Sequence, residues 1–282
     1  LAEDRLRQAA EKVGFKNIKF QLEPVAAAFA FEEVLSEGEE RKVLIGDFGG
    51  GTSDFTILNA RGGKTRKALL RKDDVLAVGG IYIGGDIFDS QLMWEKIAKY
   101  FGKNVRFKSM TNQWLEMPKD ITFKLRNWHL IPQLRERNIR EYIKRIKLSA
   151  DDKQGIENLE NLIEDNYGFM LFQSIERAKI DLSSYENSRI VFKERRLTIK
   201  EEIVKSEFES IIADSVDKIA RCIDSVLKDA GIIEKEIETV FITGGSSHIP
   251  CIRRIFVEKF GEEKLRQKDA FTSVAYGLGL SR

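Results

Sequence analysis

The stretch DFGGGTSD, from Asp47 to Asp54, decides the fold class of this chain. A hydrophobic run, Val43–Phe48, leads into the three glycines, and a second run with alternating apolar residues, Phe55–Asn59, follows them. This pattern predicts two strands joined by a tight hairpin turn whose backbone amides no side chain covers. Such amides can closely approach phosphate oxygens. The flanking aspartates can hold Mg²⁺ through its waters, although an ordinary glycine hairpin with an acidic rim is the simpler alternative.

A second strand followed by glycines occurs near the other end of the chain. The apolar run Thr239–Thr243 ends in Gly244 and Gly245, and the pattern predicts a helix that begins near Pro250. This arrangement points amides at an anion or a sugar beyond the carboxyl end of the strand. Together, the two glycine sites predict a nucleotide that is held from both sides, so both loops must converge on one ligand.

The remaining periodicity indicates an α/β protein in which strands and helices alternate. Helices are predicted at Leu1–Val13, Val25–Phe31, Phe88–Phe101, Phe169–Leu182, Phe208–Ala230 and Cys251–Phe260. Further strands are predicted at Ile18–Leu22, Lys67–Leu70 and Val75–Ile83, and a hairpin pairs Ile190–Lys193 with Leu197–Ile199.

Length and composition exclude several classes of protein. The 282 residues correspond to roughly two domains. The longest apolar run, Val25–Phe31, is far shorter than the roughly 20 residues of a membrane helix, and the N-terminus lacks the pattern of a signal peptide. Two cysteines cannot form a disulfide framework or a zinc cluster, and two histidines make a histidine-based metal site improbable. We therefore predict a reduced, cytoplasmic protein with no membrane partner.

Charge is unevenly distributed. Residues 103–147 carry 12 Lys or Arg against 4 Asp or Glu, whereas the whole chain has a net charge of only +2. Basic residues among tryptophans are compatible with nucleic acid or an acidic partner, but a solvated helical insertion is the simpler interpretation. Acidic residues such as Glu116 and Asp120 interrupt any continuous basic stripe. We expect the stretch to contact protein or cover its own subdomain, and to bind no nucleic acid.

Several blocks, taken together, resemble the actin-like ATPase superfamily, and more closely the ATPase domain of DnaK-type heat-shock chaperones. They are Glu23–Ala28, Asp47–Asp54, Gly84–Asp89, Glu176–Ser184, Gly244–Pro250 and Ala275–Gly279. Bacterial actin homologues of the MreB type share the first three blocks, but Glu176–Ser184 favours DnaK-like proteins. The tryptophan-containing insertion and Phe271–Val274 are most similar to the divergent YegD group. The resemblance covers nearly the whole chain outside residues 102–165.

The resemblance implies the fold of an actin-like (ribonuclease H-like) ATPase lobe, which is α/β, with an inserted α+β subdomain. Residues 1–42 would then be the end of lobe I and the connecting helix. Residues 43–84 and 201–282 would form nucleotide-binding subdomain IIA, and residues 85–200 inserted subdomain IIB. The basic stretch at 102–165 would be an insertion within IIB. A co-chaperone or an exchange factor would contact residues 85–200.

The implied ligands are ATP or ADP and Mg²⁺. By resemblance, the catalytic groups are Glu23, Asp47, Thr52 and Asp54, of which Asp47 and Asp54 would hold the metal through water. The implied nucleotide-binding residues are Gly50, Gly51, Gly84, Gly85, Asp86, Glu176, Lys179, Ser183, Gly244, Gly245, Ser246 and His248. Hydrolysis in this family works by positioning and electrostatics, without a covalent intermediate.

Two departures from the family pattern bear on function. Ile180 and His248 stand where many members place the two arginines that sandwich adenine. Bacterial relatives share Ile180, but a neutral imidazole at His248 predicts weaker stacking. The resemblance also implies that the first phosphate loop and the catalytic lysine precede Leu1, so we expect residues 1–282 alone to bind adenine nucleotide weakly and hydrolyse ATP negligibly. Two alternatives remain: a filament-forming actin homologue, and a non-catalytic scaffold with a vestigial nucleotide site.

Overall fold

A computed structural model describes residues 2–20, 35–62 and 74–267 of the chain. Its centre is a five-stranded mixed sheet in the order β3-β2-β1-β8-β9. The strands are β1 (Glu40–Phe48), β2 (Ser53–Arg61), β3 (Val75–Ile81), β8 (Thr239–Thr243) and β9 (Leu265–Gln267). The first three are antiparallel neighbours, whereas β8 runs parallel to β1 and β9 parallel to β8. This confirms the α/β class predicted from the sequence.

The two faces of β1 contact different hydrophobic clusters, as expected for side chains that alternate along a strand. Leu44 and Phe48 belong to the main core, while Val43 and Ile45 pack with a smaller cluster on the opposite face. On the main-core face, the rings of Phe48, Phe55 and Phe256 meet with centroids 5.8–6.5 Å apart. A side chain at Gly46 would contact all three rings. The glycine therefore makes room for the aromatic cluster directly before the glycine-rich turn.

Eight α-helices lie within the described ranges. They are α1 (Ala2–Lys12), α2 (Gly85–Leu92), α3 (Lys119–Arg126), α4 (Arg137–Ser149), α5 (Lys153–Glu164), α6 (Gly168–Asp181), α7 (Lys205–Ala230) and α8 (Pro250–Phe260). The long helix α7 packs so tightly on β3 that a Cβ atom on Gly79 would lie 2.5 Å from Val226 Cγ2. It ends, as predicted, at Gly231, whose φ of 69° suits a residue without a Cβ.

Between β3 and α7 the chain forms a mostly helical region with two small hairpins. One hairpin joins β4 (Arg106–Lys108) to β5 (Trp114–Glu116), and the other joins β6 (Asn187–Glu194) to β7 (Leu197–Val204). Helix α2 continues as a π-helical turn at Met93–Ile97 and a 3₁₀ turn at Ala98–Phe101, and another 3₁₀ segment spans Trp128–Arg135. The buried side chains of this region join the same main core as the sheet.

Most predicted elements agree with the structure. The predicted strand Ile18–Leu22 is wrong for residues 18–20, which form no regular element, and β1 begins at Glu40, three residues before the predicted hydrophobic run Val43–Phe48. The predicted helix Val25–Phe31, strand Lys67–Leu70 and segment Phe271–Gly279 fall outside the described residues. In the described ranges, no helix has the length and apolar character needed to cross a bilayer. The division into subdomains stays a prediction.

Candidate functional site

The predicted glycine turn connects β1 to β2. In the hairpin register Asp47 lies opposite Asp54, and Phe48 opposite Ser53, which leaves Gly49–Thr52 as the turn. Directly paired residues of antiparallel strands present their side chains on the same face, and like charges in such a pair repel. Thr52 Oγ1 donates a hydrogen bond to Asp54 Oδ2 at 2.7 Å. The register thus brings Asp47 and Asp54 to the mouth of the turn on the same face of the hairpin.

A second glycine segment holds this turn in place. The amide of Gly85 donates to the carbonyl of Gly49 at 3.1 Å, and the amide of Asp86 donates to that of Gly50 at 2.8 Å. A Cβ atom on Gly84 would lie 2.5 Å from the Gly50 carbonyl oxygen, so the close approach requires glycine there. The start of α2 thus fixes the conformation of the phosphate-loop candidate through backbone contacts.

The second glycine loop, after β8, reaches the same place from the other side. Because β8 pairs with β1 in parallel, with Thr243 opposite Asp47, the two strands end at the same edge of the sheet. Gly244 has φ 86° and ψ 162°, and a Cβ atom on it would lie 2.1 Å from the Phe48 carbonyl oxygen. A Cβ atom on the next residue, Gly245, would meet open space. One glycine packs against β1 and the other faces the opening.

Both loops line one cleft of about 440 Å³, which is within the range of about 300–1,000 Å³ that is typical of small-molecule sites. This confirms the prediction that the two glycine sites converge. The lining residues are Asp47, Phe48, Gly49, Gly50, Gly85, Asp86, Glu176, Lys179, Ile180, Ser183, Gly244, Gly245, Ser246 and Ile249.

Helix α6 supplies the third wall of the cleft. Glu176 and Ile180 lie one helical turn apart on α6, Lys179 lies beside them, and Ser183 follows in the turn just after the helix ends at Asp181. Lys179 is buried, and its ammonium donates to Asp89 Oδ2 at 2.9 Å and to the Gly85 carbonyl oxygen at 3.2 Å. Burial raises the pKa of Asp89 to about 6, although the neighbouring Lys179 ammonium lowers it.

The cleft brings together most of the predicted site residues, but not all of them. Gly51, Thr52, Asp54, Gly84 and His248 do not line it. Thr52 and Asp54 lie at the adjacent end of the hairpin, and Gly84 packs against the turn from behind. The remaining predicted residue, Glu23, lies outside the described part of the chain.

Sequence reasoning missed the involvement of Asp89. Its carboxylate does not line the cleft, but it holds Lys179, which does. The signal was present, because Asp89 closes the glycine–glycine–acidic–x–Phe–Asp block that begins at Gly84. Only the fold shows that this carboxylate meets a lysine 90 residues further along the chain.

The acidic groups at the site fit a hard cation that retains water. No group of three His, Cys, Asp or Glu side chains able to hold a metal ion occurs within residues 2–20, 35–62 and 74–267. Mg²⁺ usually binds through one or two carboxylates together with substrate phosphates, and it keeps several of its waters. Asp47 and Asp54, opposite each other at the glycine turn, provide that number of carboxylates. The donor set thus fits Mg²⁺ that arrives with a phosphate ligand.

Comparison with known families identifies the class of protein that this fold and cleft define. The family model described as Hsp70 protein matches residues 4–117 and 149–281. The chain belongs to the Hsp70 family, and its mixed α/β sheet with flanking helices is consistent with the fold of that family. The predicted resemblance to the DnaK-type ATPase domain is therefore confirmed.

Similar curated proteins include several chaperone proteins DnaK. The chain is 25% identical to the chaperone protein DnaK of Thermosipho africanus over 98% of this chain and 38% of that protein. It is 24% identical to those of Thermotoga neapolitana and Thermotoga maritima over the same shares. The chain thus spans less than two-fifths of the length of these relatives.

The part of the chain that the family model does not match is shorter than the predicted insertion. It comprises residues 118–148, whereas the predicted insertion spans residues 102–165, so residues 102–117 and 149–165 also match the family. The unmatched part contains α3, the 3₁₀ segment Trp128–Arg135 and nearly all of α4. These elements still contribute to the main core, through Ile121, Leu134 and Ile143 among others. The stretch is therefore integrated into the packing of the region between β3 and α7.

Proposed function

We propose that this chain is the nucleotide-binding lobe of a DnaK-like chaperone and that it binds ATP or ADP together with Mg²⁺. One observation carries the proposal: Gly50 from the β1–β2 turn, Gly245 from the loop after β8, and Glu176 from α6 all line one cleft. Two backbone-exposing loops suit the phosphates, and a helix with polar and apolar groups suits a nucleoside. Family membership supports the same ligand class.

The phosphates would bind at the edge of the sheet where β1 and β8 end. Gly50 and Gly245 expose backbone there, and Gly245 has open space where a Cβ atom would be. Asp47 and Asp54 would hold Mg²⁺ through its waters, and the ion would neutralise phosphate charge. Thr52, already hydrogen-bonded to Asp54, would place a hydroxyl near the terminal phosphate. The loops would thus position phosphate and metal together.

The nucleoside would lie along α6. Glu176 and Ser183 offer a carboxylate and a hydroxyl for the sugar hydroxyls and the base, and Lys179 adds a buried ammonium. Ile180 and Ile249 provide apolar surface at the same cleft. An apolar side chain contacts the base by packing and lacks the cation–π attraction of arginine. We therefore expect modest affinity for the base.

ATP hydrolysis would require groups beyond those of this cleft. Phosphoryl transfer depends on charges placed around the terminal phosphate from several directions. Here they come from the two glycine loops of the cleft and from Asp47 and Asp54, which are paired across the β1–β2 hairpin. The DnaK relatives are more than twice as long as the part that this chain matches. We propose that Glu23, Asp47, Thr52 and Asp54 orient water and metal for hydrolysis when a first lobe completes the site.

We further propose that a co-chaperone or nucleotide-exchange protein contacts the region between residues 85 and 200. This region exposes a group of large apolar side chains, which is typical of a protein-binding surface. Trp128 and Phe169 contact each other with ring centroids 5.9 Å apart, and both are substantially exposed, as are Phe123 and Met170. Trp128 and Phe123 come from the stretch that the family model does not match.

The proposed function is tested by calorimetric titration of the chain with ADP, in Mg²⁺ and in excess EDTA. We expect saturable binding that Mg²⁺ strengthens, and we expect Asp47→Asn to remove most of the Mg²⁺ effect while weakening metal-free binding little. Asp165→Asn is the matched control, since its carboxylate pairs with Arg196 at the surface and does not line the cleft. The proposal is contradicted if ADP binds neither in Mg²⁺ nor in EDTA, or if Asp47→Asn and Asp165→Asn change the Mg²⁺ effect equally.

A further inference from the structure

Asp89 and Lys179 form a buried ion pair beside the cleft. The side chains are only 8% and 9% exposed, respectively, and their charged atoms lie 2.9 Å apart. The second carboxylate oxygen, Asp89 Oδ1, is buried and accepts no hydrogen bond from the described residues. Burying two charges costs free energy that their attraction often fails to recover. Stability alone is therefore a poor explanation for this pair.

The hydrogen bonds around the pair lead directly to the phosphate loop. The Lys179 ammonium donates both to Asp89 and to the Gly85 carbonyl oxygen. The amide of Gly85 in turn donates to Gly49, and the next amide, of Asp86, donates to Gly50. A chain of four hydrogen bonds thus connects the carboxylate of Asp89 to two glycines of the β1–β2 turn.

We propose that Asp89 is a positioning residue that holds the Lys179 ammonium against the Gly85 carbonyl and so locks α6 and the β1–β2 glycine turn into one unit. The ligand part of this proposal rests on the function proposed above. Without the carboxylate, the lysine can leave Gly85, and the turn loses the support that fixes its amides. Lys179 has three N–H donors, of which Asp89 and Gly85 take two, so one remains for a ligand in the cleft that Lys179 lines.

A purely electrostatic role for Asp89 predicts the opposite result. Removing a buried negative charge next to a site for anionic phosphates should strengthen binding of ADP, because the Lys179 charge would no longer be compensated. Loss of positioning should weaken binding, because the amides of the turn are no longer held. The sign of the change therefore separates the two explanations.

The burial of Asp89 also gives the network a pH signature. The charged groups that act on this carboxylate are Lys179 and Glu176 on α6 and Asp86 on its own helix, and burial raises its pKa to about 6. Protonation of Asp89 at lower pH should release Lys179 as the Asp89→Asn substitution does. Wild type and Asp89→Asn should therefore differ in their affinity for ADP above about pH 6 and bind ADP equally well below it.

The experiment compares wild type, Asp89→Asn and the control Glu207→Gln. Glu207 accepts from Lys96, a partly buried lysine outside the cleft, at 2.7 Å, so its loss also removes an ion pair. Amide hydrogen exchange reports on the network without any ligand. We expect protection at Gly85 and Asp86 to fall about tenfold in Asp89→Asn, in line with the loss of one hydrogen bond to a charged group, while protection of Leu44 in the core strand stays unchanged.

Titration with Mg²⁺ and ADP is the second readout. We expect Asp89→Asn to bind about tenfold more weakly than wild type at about pH 8 and equally at about pH 5, and Glu207→Gln to match wild type throughout. The phosphates of ADP titrate identically in all samples, so the effect of pH on Asp89 is read from the ratio of the wild-type affinity to the variant affinity.

The outcomes separate this proposal from the proposed function. Unchanged protection at Gly85 and Asp86 in Asp89→Asn would overturn the positioning role, whether or not ADP binds. Tighter ADP binding by the variant would overturn it in favour of the electrostatic explanation. Loss of protection in Asp89→Asn, together with no ADP binding by the wild-type chain, would support the positioning role and refute the nucleotide site.

Discussion

Gly244 and Gly245 are adjacent, yet the structure predicts opposite consequences when each is replaced by alanine. Gly244 has φ 86° and ψ 162°, a region essentially confined to glycine. Forcing another residue into such a conformation costs about 1–3 kcal/mol. A Cβ atom there would also lie 2.1 Å from the Phe48 carbonyl oxygen, and such overpacking costs about 1–3 kcal/mol more. Gly244→Ala should therefore lower the free energy of unfolding by about 2–6 kcal/mol.

Gly245→Ala should leave stability within about 0.5 kcal/mol of wild type, because its Cβ atom would meet open space. That space belongs to the cleft, so the new methyl group would obstruct the phosphates. We expect ADP affinity to fall roughly tenfold, which corresponds to about 1.4 kcal/mol. Gly244→Ala thus tests the backbone conformation of the loop, and Gly245→Ala tests ligand binding in the cleft.

Urea denaturation gives the stabilities of both variants, and calorimetric titration with Mg²⁺ and ADP gives the affinity of Gly245→Ala. If Gly244→Ala unfolds at the wild-type urea concentration, the loop does not have the described backbone. If Gly245→Ala destabilises the chain as much as Gly244→Ala does, Gly245 does not face open space.

Three further predictions concern the rest of the molecule. Gly79→Ala should lower the free energy of unfolding by about 1–3 kcal/mol, because its Cβ atom would lie 2.5 Å from Val226 Cγ2. In urea denaturation, the double variant with Val226→Ala should recover part of that loss. Burial raises the pKa of the Cys251 thiol to about 12, so Cys251 should resist iodoacetamide at about pH 8 until urea unfolds the chain. Mass spectrometry of the alkylated thiols measures this. Alkylation of Cys251 in the native chain would contradict its burial. Fluorescence anisotropy should detect no binding of random RNA at low salt, and binding that is lost on neutralising basic residues within 103–147 would prove that expectation wrong.

The local pattern of the sequence predicted the strands and the glycine loops well. A hydrophobic run marked β1, alternating apolar residues marked β2, and the predicted helix Phe208–Ala230 ends where α7 ends. These features depend on residues close together in the chain, where spacing and turn chemistry act directly. The convergence of the two glycine loops also followed, because both come after strands that end in glycines.

Contacts between distant residues could not be predicted in this way. Asp89 and Lys179 are 90 residues apart, and nothing in either local sequence specifies the other as its partner. The sequence likewise placed Gly84 among the nucleotide-binding residues, whereas the structure packs it behind the glycine turn, against the Gly50 carbonyl oxygen. A glycine needed for close backbone approach and a glycine needed for ligand access look identical until the fold is known.

In the proposed function, one cleft bounded by two glycine loops and α6 binds an adenine nucleotide with Mg²⁺. Titration of the ¹⁵N-labelled chain with Mg²⁺ and ADP, followed by NMR, tests it most directly because the method detects weak binding and locates it. We expect saturable shifts of the amides of Gly50, Gly85 and Gly245, and of Ser183 just after α6, with the amides of α4 unaffected. Saturable shifts confined to other residues, or no shifts in a folded chain at millimolar ADP, would contradict it.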